Sequence, residues 1–209
     1  MKPAFHDRPA AGRRLGALLE KLKGGDAIVL AIPAGGVPVA AAIAKALGLP
    51  LQVAPVSKVL LPWTTESGFG AVAFDGSVWI DQAAVENFGL REEQIEKAIA
   101  DARAKVERRR ARFSGKEIVL AGKTVILVDD GIAAGSTMRT AIAALRKLGA
   151  ARIVVAVPTA HDRSLDAMRK LADEVVCADI RGGARFAVAD AYEEWRDLSD
   201  GEIEGMLKP

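Results

Sequence analysis

The chain has 209 residues, half of them hydrophobic and 27% charged, with a formal net charge of +2. That length can bury a full core in one domain, and the balance excludes a disordered polar chain. The small net charge gives nucleic-acid binding no support, and a single cysteine, Cys177, excludes a disulfide framework or a cysteine-rich metal site.

The opening stretch, MKPAFHDRPAAGRR, lacks the apolar core of a signal peptide. Residues 27–44, AIVLAIPAGGVPVAAAIA, carry no charge, but Pro33, the Gly35–Gly36 pair and Pro38 interrupt them. They read as strand 27–32, a loop and helix 37–47 rather than a membrane span. Pro38 suits the first helical turn, and Gly48 suits the C-terminal cap. A second core strand is expected at 51–57. In AVAFDGSVWI, residues 71–80, two apolar runs flank Asp75-Gly76, which predicts a β-hairpin.

A charged helix is expected over about 91–112, ending in KVERRRARFSGK. Its basic run, Arg108 to Arg112, reads as a solvated helix end whose charges complement the dipole; the alternative is a patch for an anionic partner. That helix either covers the core or mediates a homodimer. Residues 62–116 break the strand–helix alternation and read as an insertion on a single 1–209 domain.

Strand 124–129 and helix 136–148 follow. Met138, Ala141, Ile142, Leu145 and Leu148 share one face of that helix, Arg146 and Lys147 complement its dipole, and Gly149 can cap it. Strands 152–157 and 174–178 complete the core, with a short helix at about 164–172 between them and another in the tail. Cys177 lies in EVVCADI and reads as a buried thiol. This alternation predicts an α/β fold, a doubly wound and mainly parallel sheet carrying a hairpin and long-helix insertion. A cytoplasmic location is expected.

Two loops carry the chemistry: IPAGGVP, 32–38, and DDGIAAGST, 129–137. If strands 27–32 and 124–129 are neighbours, both loops flank a topological switch point, where parallel sheets bind ligands. In the second loop Gly131, Ala133, Ala134 and Gly135 present little side chain, so backbone amides can approach an anion. Ser136 and Thr137 add hydroxyls at a helix start, where the dipole favours negative charge. Asp129 and Asp130, immediately upstream, would repel a phosphate placed beside them. The pattern suits a ligand with phosphate at one end and hydroxyls, or a hydrated metal, at the other; a ribose phosphate fits. Helix capping would explain one acid, not two. The loop lacks the lysine of a P-loop, no GxGxxG follows a strand, and His6 and His161 lack ligand spacing.

VILVDDGIAAGSTM resembles the ribose-phosphate signature of type I phosphoribosyltransferases, and FHDRPAAGRRL, AIPAGGVPVAAAIAKALGLPL, SKVLLPWTTESGFGAVAFDG and FAVADAYEEW extend the resemblance over nearly the whole chain. The resemblance implies transfer of ribose 5-phosphate from phosphoribosyl pyrophosphate to a nucleobase or other nitrogenous acceptor, with Mg²⁺ assisting release of pyrophosphate. It assigns Asp129 and Asp130 to the ribose hydroxyls, with Mg²⁺ held mainly through substrate and water and Asp129 or Asp130 as its candidate direct ligands. Gly131 and Ala133 to Thr137 fall to the 5-phosphate. Ala34, Gly35 and Gly36 would form a pyrophosphate loop containing a non-proline cis peptide. Many relatives have Arg where Ala34 stands and Thr where Ala134 stands; Lys58 is a candidate substitute for the missing cation, and Glu66 matches another charged position near the site. The segment 62–80 and the aromatics Phe186, Tyr192 and Trp195 are candidates for a closing lid, with packing as their alternative. Two rival functions are a phosphoribosyl pyrophosphate-binding regulator of RNA or DNA binding and an acceptor-independent sugar-phosphate enzyme.

Overall fold

The computed structural model describes residues 2–113, 119–183 and 186–207. The expected end of the insertion, 114–116, lies outside them. Helix α1, Arg8–Leu18, begins at Asp7, whose carboxylate accepts the Ala10 N–H at 2.6 Å, and Pro9 occupies its first turn. This helix is additional to the elements expected from sequence. Strand β1 (Ala27–Ala31), helix α2 (Gly36–Leu47) and strand β2 (Leu51–Val53) follow, and Gly48 ends α2 in the left-handed conformation that favours glycine.

The strand expected at 51–57 is two strands. β2 stays in the main sheet, whereas β3 (Val56–Leu60) turns away after Ala54-Pro55 to pair antiparallel with β4 (Gly68–Ala73). β4 pairs in turn with β5 (Val78–Ile80) across the Asp75-Gly76 turn, where Asp75 accepts the Ser77 N–H at 2.9 Å. Helices α3 (Gln82–Phe88) and α4 (Glu92–Phe113) cover the outer face of this second sheet, where Val59, Phe69, Val72, Leu90, Ala102 and Val106 are buried together.

The chain then returns to the main sheet with β6 (Thr124–Val128), α5 (Ser136–Lys147), β7 (Arg152–His161), α6 (Asp162–Arg169) and β8 (Glu174–Arg181); α7 (Asp200–Leu207) is the last helix described. Its five strands are parallel in the order β2-β1-β6-β7-β8. Alternate residues serve opposite faces, as the pleat requires. Val125, Leu127, Ile153 and Val155 pack beneath α5 and α6, whereas Ile126, Val128, Val154 and Ala156 pack with α1, α2 and α7. Helix α5 also meets Ala71 and Ala73, so the second sheet is stacked on the first through it. Leu148 departs from the expected apolar face: it follows the last helical residue and is exposed. Cys177 is half-buried rather than buried, and that burial still pushes its thiol up to about 11. Among the described residues, no helix is long and apolar enough to cross a membrane.

Candidate functional site

β1 and β6 are hydrogen-bonded neighbours, Ala27–Ala31 in register with Thr124–Val128. The chain crosses to opposite sides of the sheet after them, so the two loops meet at the switch point. Their contact is close. A Cβ at Gly35 would overlap the Asp130 carboxylate, and one at Gly36 would lie 2.7 Å from the Val128 carbonyl and 2.9 Å from the Asp129 Cα. Only glycine lets the first loop lie against the acids. The Pro33–Ala34 bond is cis, as the resemblance implied for this loop. Gly35→Ala is expected to displace Asp130, lowering ribose 5-phosphate affinity in calorimetry and stability by about 1–3 kcal/mol, the usual range for overpacking.

The second loop is held from the far side. Ile132 donates its N–H to the Thr159 carbonyl and accepts the His161 N–H, both at 3.0 Å, and Ser164 donates its hydroxyl to the Ala133 carbonyl. This clamp accompanies the extension of β7 to His161, beyond the expected 157. Gly135, at φ +83°, caps α5, so Ser136 and Thr137 stand in its opening turn with Ala133 and Ala134 exposed before them. The result is a small-residue rim at the positive end of a helix, a geometry suited to an anion.

Asp129 and Asp130 stand between the loops. Burial and then the neighbouring Asp130 charge push the Asp129 carboxyl well above its ordinary value; its Oδ1 accepts the Asp130 N–H at 2.8 Å. Burial also raises Asp130, against the opposing pull of Arg8. Arg8, from α1, donates Nε to Asp130 Oδ2 at 2.9 Å and Nη1 to the Arg196 carbonyl at 2.9 Å, and its guanidinium lies 3.8 Å from the Trp195 ring centroid. Tyr192 is buried and donates its hydroxyl to the Asp130 carbonyl at 2.6 Å. Tyr192 is therefore a packed support, not a lid, and Trp195 covers Arg8. Phe186 lies edge-on to His161 with centroids 5.9 Å apart.

Lys58, on β3, is near enough to Asp129 to favour its ionised form, and its ammonium reaches the Glu66 carbonyl at 3.2 Å. Lys58 and Glu66 thus come together, but Glu66 offers this contact its backbone rather than its carboxylate. Arg109 departs from the expected solvated helix end. It donates to the Pro33 carbonyl and to Asp200, while Arg112 pairs with Glu204 at 3.2 Å. Arg8 and Arg109 are absent from the sequence-derived site. The HDRP start, with an acid cap and an early proline, signals α1 and thus Arg8; no local pattern signals where Arg109 points. Among the described residues, no three His, Cys, Asp or Glu side chains cluster as metal ligands.

Two glycine-rich loops and an acid pair at the switch point of a parallel sheet define an α/β protein built to take a small polar ligand. The family model for the phosphoribosyl transferase domain matches residues 4–191, and the chain belongs to that family. Two curated relatives from Mycobacterium tuberculosis strains, CDC 1551 / Oshkosh and ATCC 25618 / H37Rv, are named provisionally as phosphoribosyl transferases. Each is 37% identical over 205 residues, 97% of this chain and 46% of its own length. The chain thus spans about half the length of the curated relatives it matches. A solved Thermus thermophilus protein superposes with TM-score 0.75 at 32% identity, over 99% of this chain and 98% of that one. An Aquifex aeolicus protein at 11% identity shares the fold, with TM-score 0.51 over 84% of this chain and 75% of that one.

Proposed function

We propose that this domain binds phosphoribosyl pyrophosphate and transfers its ribose 5-phosphate group to a nitrogenous acceptor. The observation that carries this reading is the meeting of loops 33–36 and 131–137 on either side of Asp129 and Asp130. Family membership supports the transferase class. The α5 end suits the 5-phosphate: amides of Ala133 to Gly135 and the hydroxyls of Ser136 and Thr137 would hold it. Asp129 and Asp130 would take the 2- and 3-hydroxyls, and the Ala34–Gly36 amides the pyrophosphate, with Lys58 nearby.

In this mechanism the C1–oxygen bond to pyrophosphate breaks and its electron pair leaves with that group. The acceptor nitrogen supplies the pair for the new C1–N bond, and an N–H acceptor gives up its proton to water. C1 is oxocarbenium-like between these events. Placing the acids below the ribose favours positive charge on the ring, and the fixed loops supply orientation and preorganised dipoles. Asp129, desolvated and bonded to an adjacent amide, fits a hydrated Mg²⁺; one or two carboxylates and substrate phosphates are a typical magnesium donor set. When bound, Mg²⁺ would neutralise charge on the leaving pyrophosphate.

A screen of nucleobases and amines for Mg²⁺-dependent pyrophosphate release tests the proposal. One acceptor should raise release well above the acceptor-free rate. Equal release without any acceptor would replace it with a hydrolytic sugar-phosphate activity. Steeply salt-dependent RNA binding with no turnover would replace it with a regulator.

A further inference from the structure

The Arg8 guanidinium carries its N–H donors on three nitrogens of one planar fork. Two of them are engaged: Nε donates to Asp130 Oδ2 and Nη1 to the Arg196 carbonyl, both at 2.9 Å. Trp195 covers one face of the guanidinium, with its ring centroid 3.8 Å away, and the Tyr192 ring lies at 5.9 Å. The third nitrogen, Nη2, meets no protein acceptor among the described residues. Nor is it sealed in, because the only enclosed side-chain nitrogen or oxygen without a partner among those residues is Gln52 Oε1. Nη2 therefore reaches the surface, although the side chain as a whole is only 8% exposed.

Asp130 has a matching opening. Its Oδ2 is taken by Arg8 and packed against Gly35, whereas its Oδ1 accepts no protein hydrogen bond among the described residues. Its side chain is 15% exposed. Nη2 belongs to the same fork as Nε, so the free donor stands beside the carboxylate that Nε grips. A charged donor and a charged acceptor, side by side and each fixed by other contacts, suit a group that donates and accepts at once. A hydroxyl does both; an ammonium only donates, and a phosphate oxygen only accepts and would be repelled by the acid.

We infer that Arg8 is a substrate-binding residue: the ribose hydroxyl that donates to Asp130 also accepts from Arg8 Nη2. This rests on the phosphoribosyl reading above and deepens it, because it makes the site selective for ribose over a sugar lacking that hydroxyl. Removing the hydroxyl leaves two charged groups unpaired rather than one, the arrangement that discriminates most strongly against a deoxy analogue. The contact is separate from the counter-charge that Arg8 supplies to Asp130.

Calorimetry on the full chain with ribose 5-phosphate and its 2-deoxy and 3-deoxy analogues tests it. In the wild type, deletion of the hydroxyl shared by Asp130 and Arg8 should cost about a hundredfold in affinity, and the other deletion about tenfold, the scales of two and one charge-assisted contacts. Arg8→Lys keeps a positive charge for Asp130 but loses the planar fork. It should weaken ribose 5-phosphate about tenfold, and it should leave the analogue without the shared hydroxyl bound as in the wild type. Equal costs for the two deletions in the wild type, a measurement that needs no variant to fold, overturn the inference. So does an Arg8→Lys chain that binds ribose 5-phosphate as the wild type does, or that weakens all three ligands by one factor. A wild-type chain that binds ribose 5-phosphate no better than inorganic phosphate overturns the phosphoribosyl reading itself.

Discussion

Replacing Asp129 and Asp130 together by asparagine is expected to abolish ribose 5-phosphate binding while the chain remains folded. Each carboxylate lost removes a charge-assisted contact to a ribose hydroxyl, worth about 1.5–3 kcal/mol, so affinity should fall at least about a hundredfold. The fold should survive because asparagine keeps the volume of both side chains and because Asp129 burdens the native state. Asp129 has its carboxyl pushed up by burial and by Asp130, so the native state disfavours its charge. That penalty is absent below the unfolded value, grows as pH rises through it and is complete above the raised native value. At neutral pH the relief at Asp129 should therefore offset part of the cost of breaking the buried Arg8–Asp130 pair, and that offset should vanish in acid. The amide oxygen introduced by Asp130→Asn can still accept from Arg8, which also retains the Arg196 carbonyl. Unchanged calorimetric affinity in the folded double variant would sink the assignment.

Arg8→Met is expected to produce the largest stability loss of any change at the site. Arg8 is 7% exposed, and its loss strands a buried Asp130 without its counter-charge. Breaking such a pair costs about 3–5 kcal/mol. For a domain of this size that corresponds to roughly 10 °C in melting temperature. Met retains part of the apolar stem under Trp195, so the loss reports charge more than packing. Adding Asp130→Asn should recover much of it, because the amide needs no cation. Without Arg8, the Asp130 carboxyl rises further, and ribose 5-phosphate binding should require a higher pH. Strict additivity in the thermal double-mutant cycle would refute the coupling.

The centre of the site was legible because its chemistry is local. TVILV followed by two acids, a run of small residues and Ser-Thr already states strand, carboxylates, anion cradle and helix start. Gly48, which ends α2, and the Asp75-Gly76 turn were likewise readable from backbone demands alone. Adjacency was an inference from topology, and the β1–β6 pairing supplies it. What sequence did not show depends on distant partners. No local feature distinguishes Arg109 from its exposed neighbours; Pro33 and Asp200 do so in space. Splitting of the 51–57 segment is decided by β4, which takes Val56 onward into another sheet. β7 runs past 157 because β8 pairs with it as far as His161–Arg181 on one side and Ile132 bridges to Ala160 on the other.

The environment of Asp130 also has an order of assembly. During synthesis from the N-terminus, Arg8 emerges long before the carboxylate it serves, separated from it by 122 positions. Tyr192 emerges 62 positions after Asp130, and the Arg196 carbonyl that steadies Arg8 follows. Contacts this distant close large loops and form late. A nascent chain can complete the parallel sheet through β8 while its acid pair still lacks the residue 192–196 cover. On the phosphoribosyl reading, a chain ending before Tyr192 is expected to form the sheet yet bind ribose 5-phosphate poorly, so that binding reports on tertiary completion rather than on formation of the sheet.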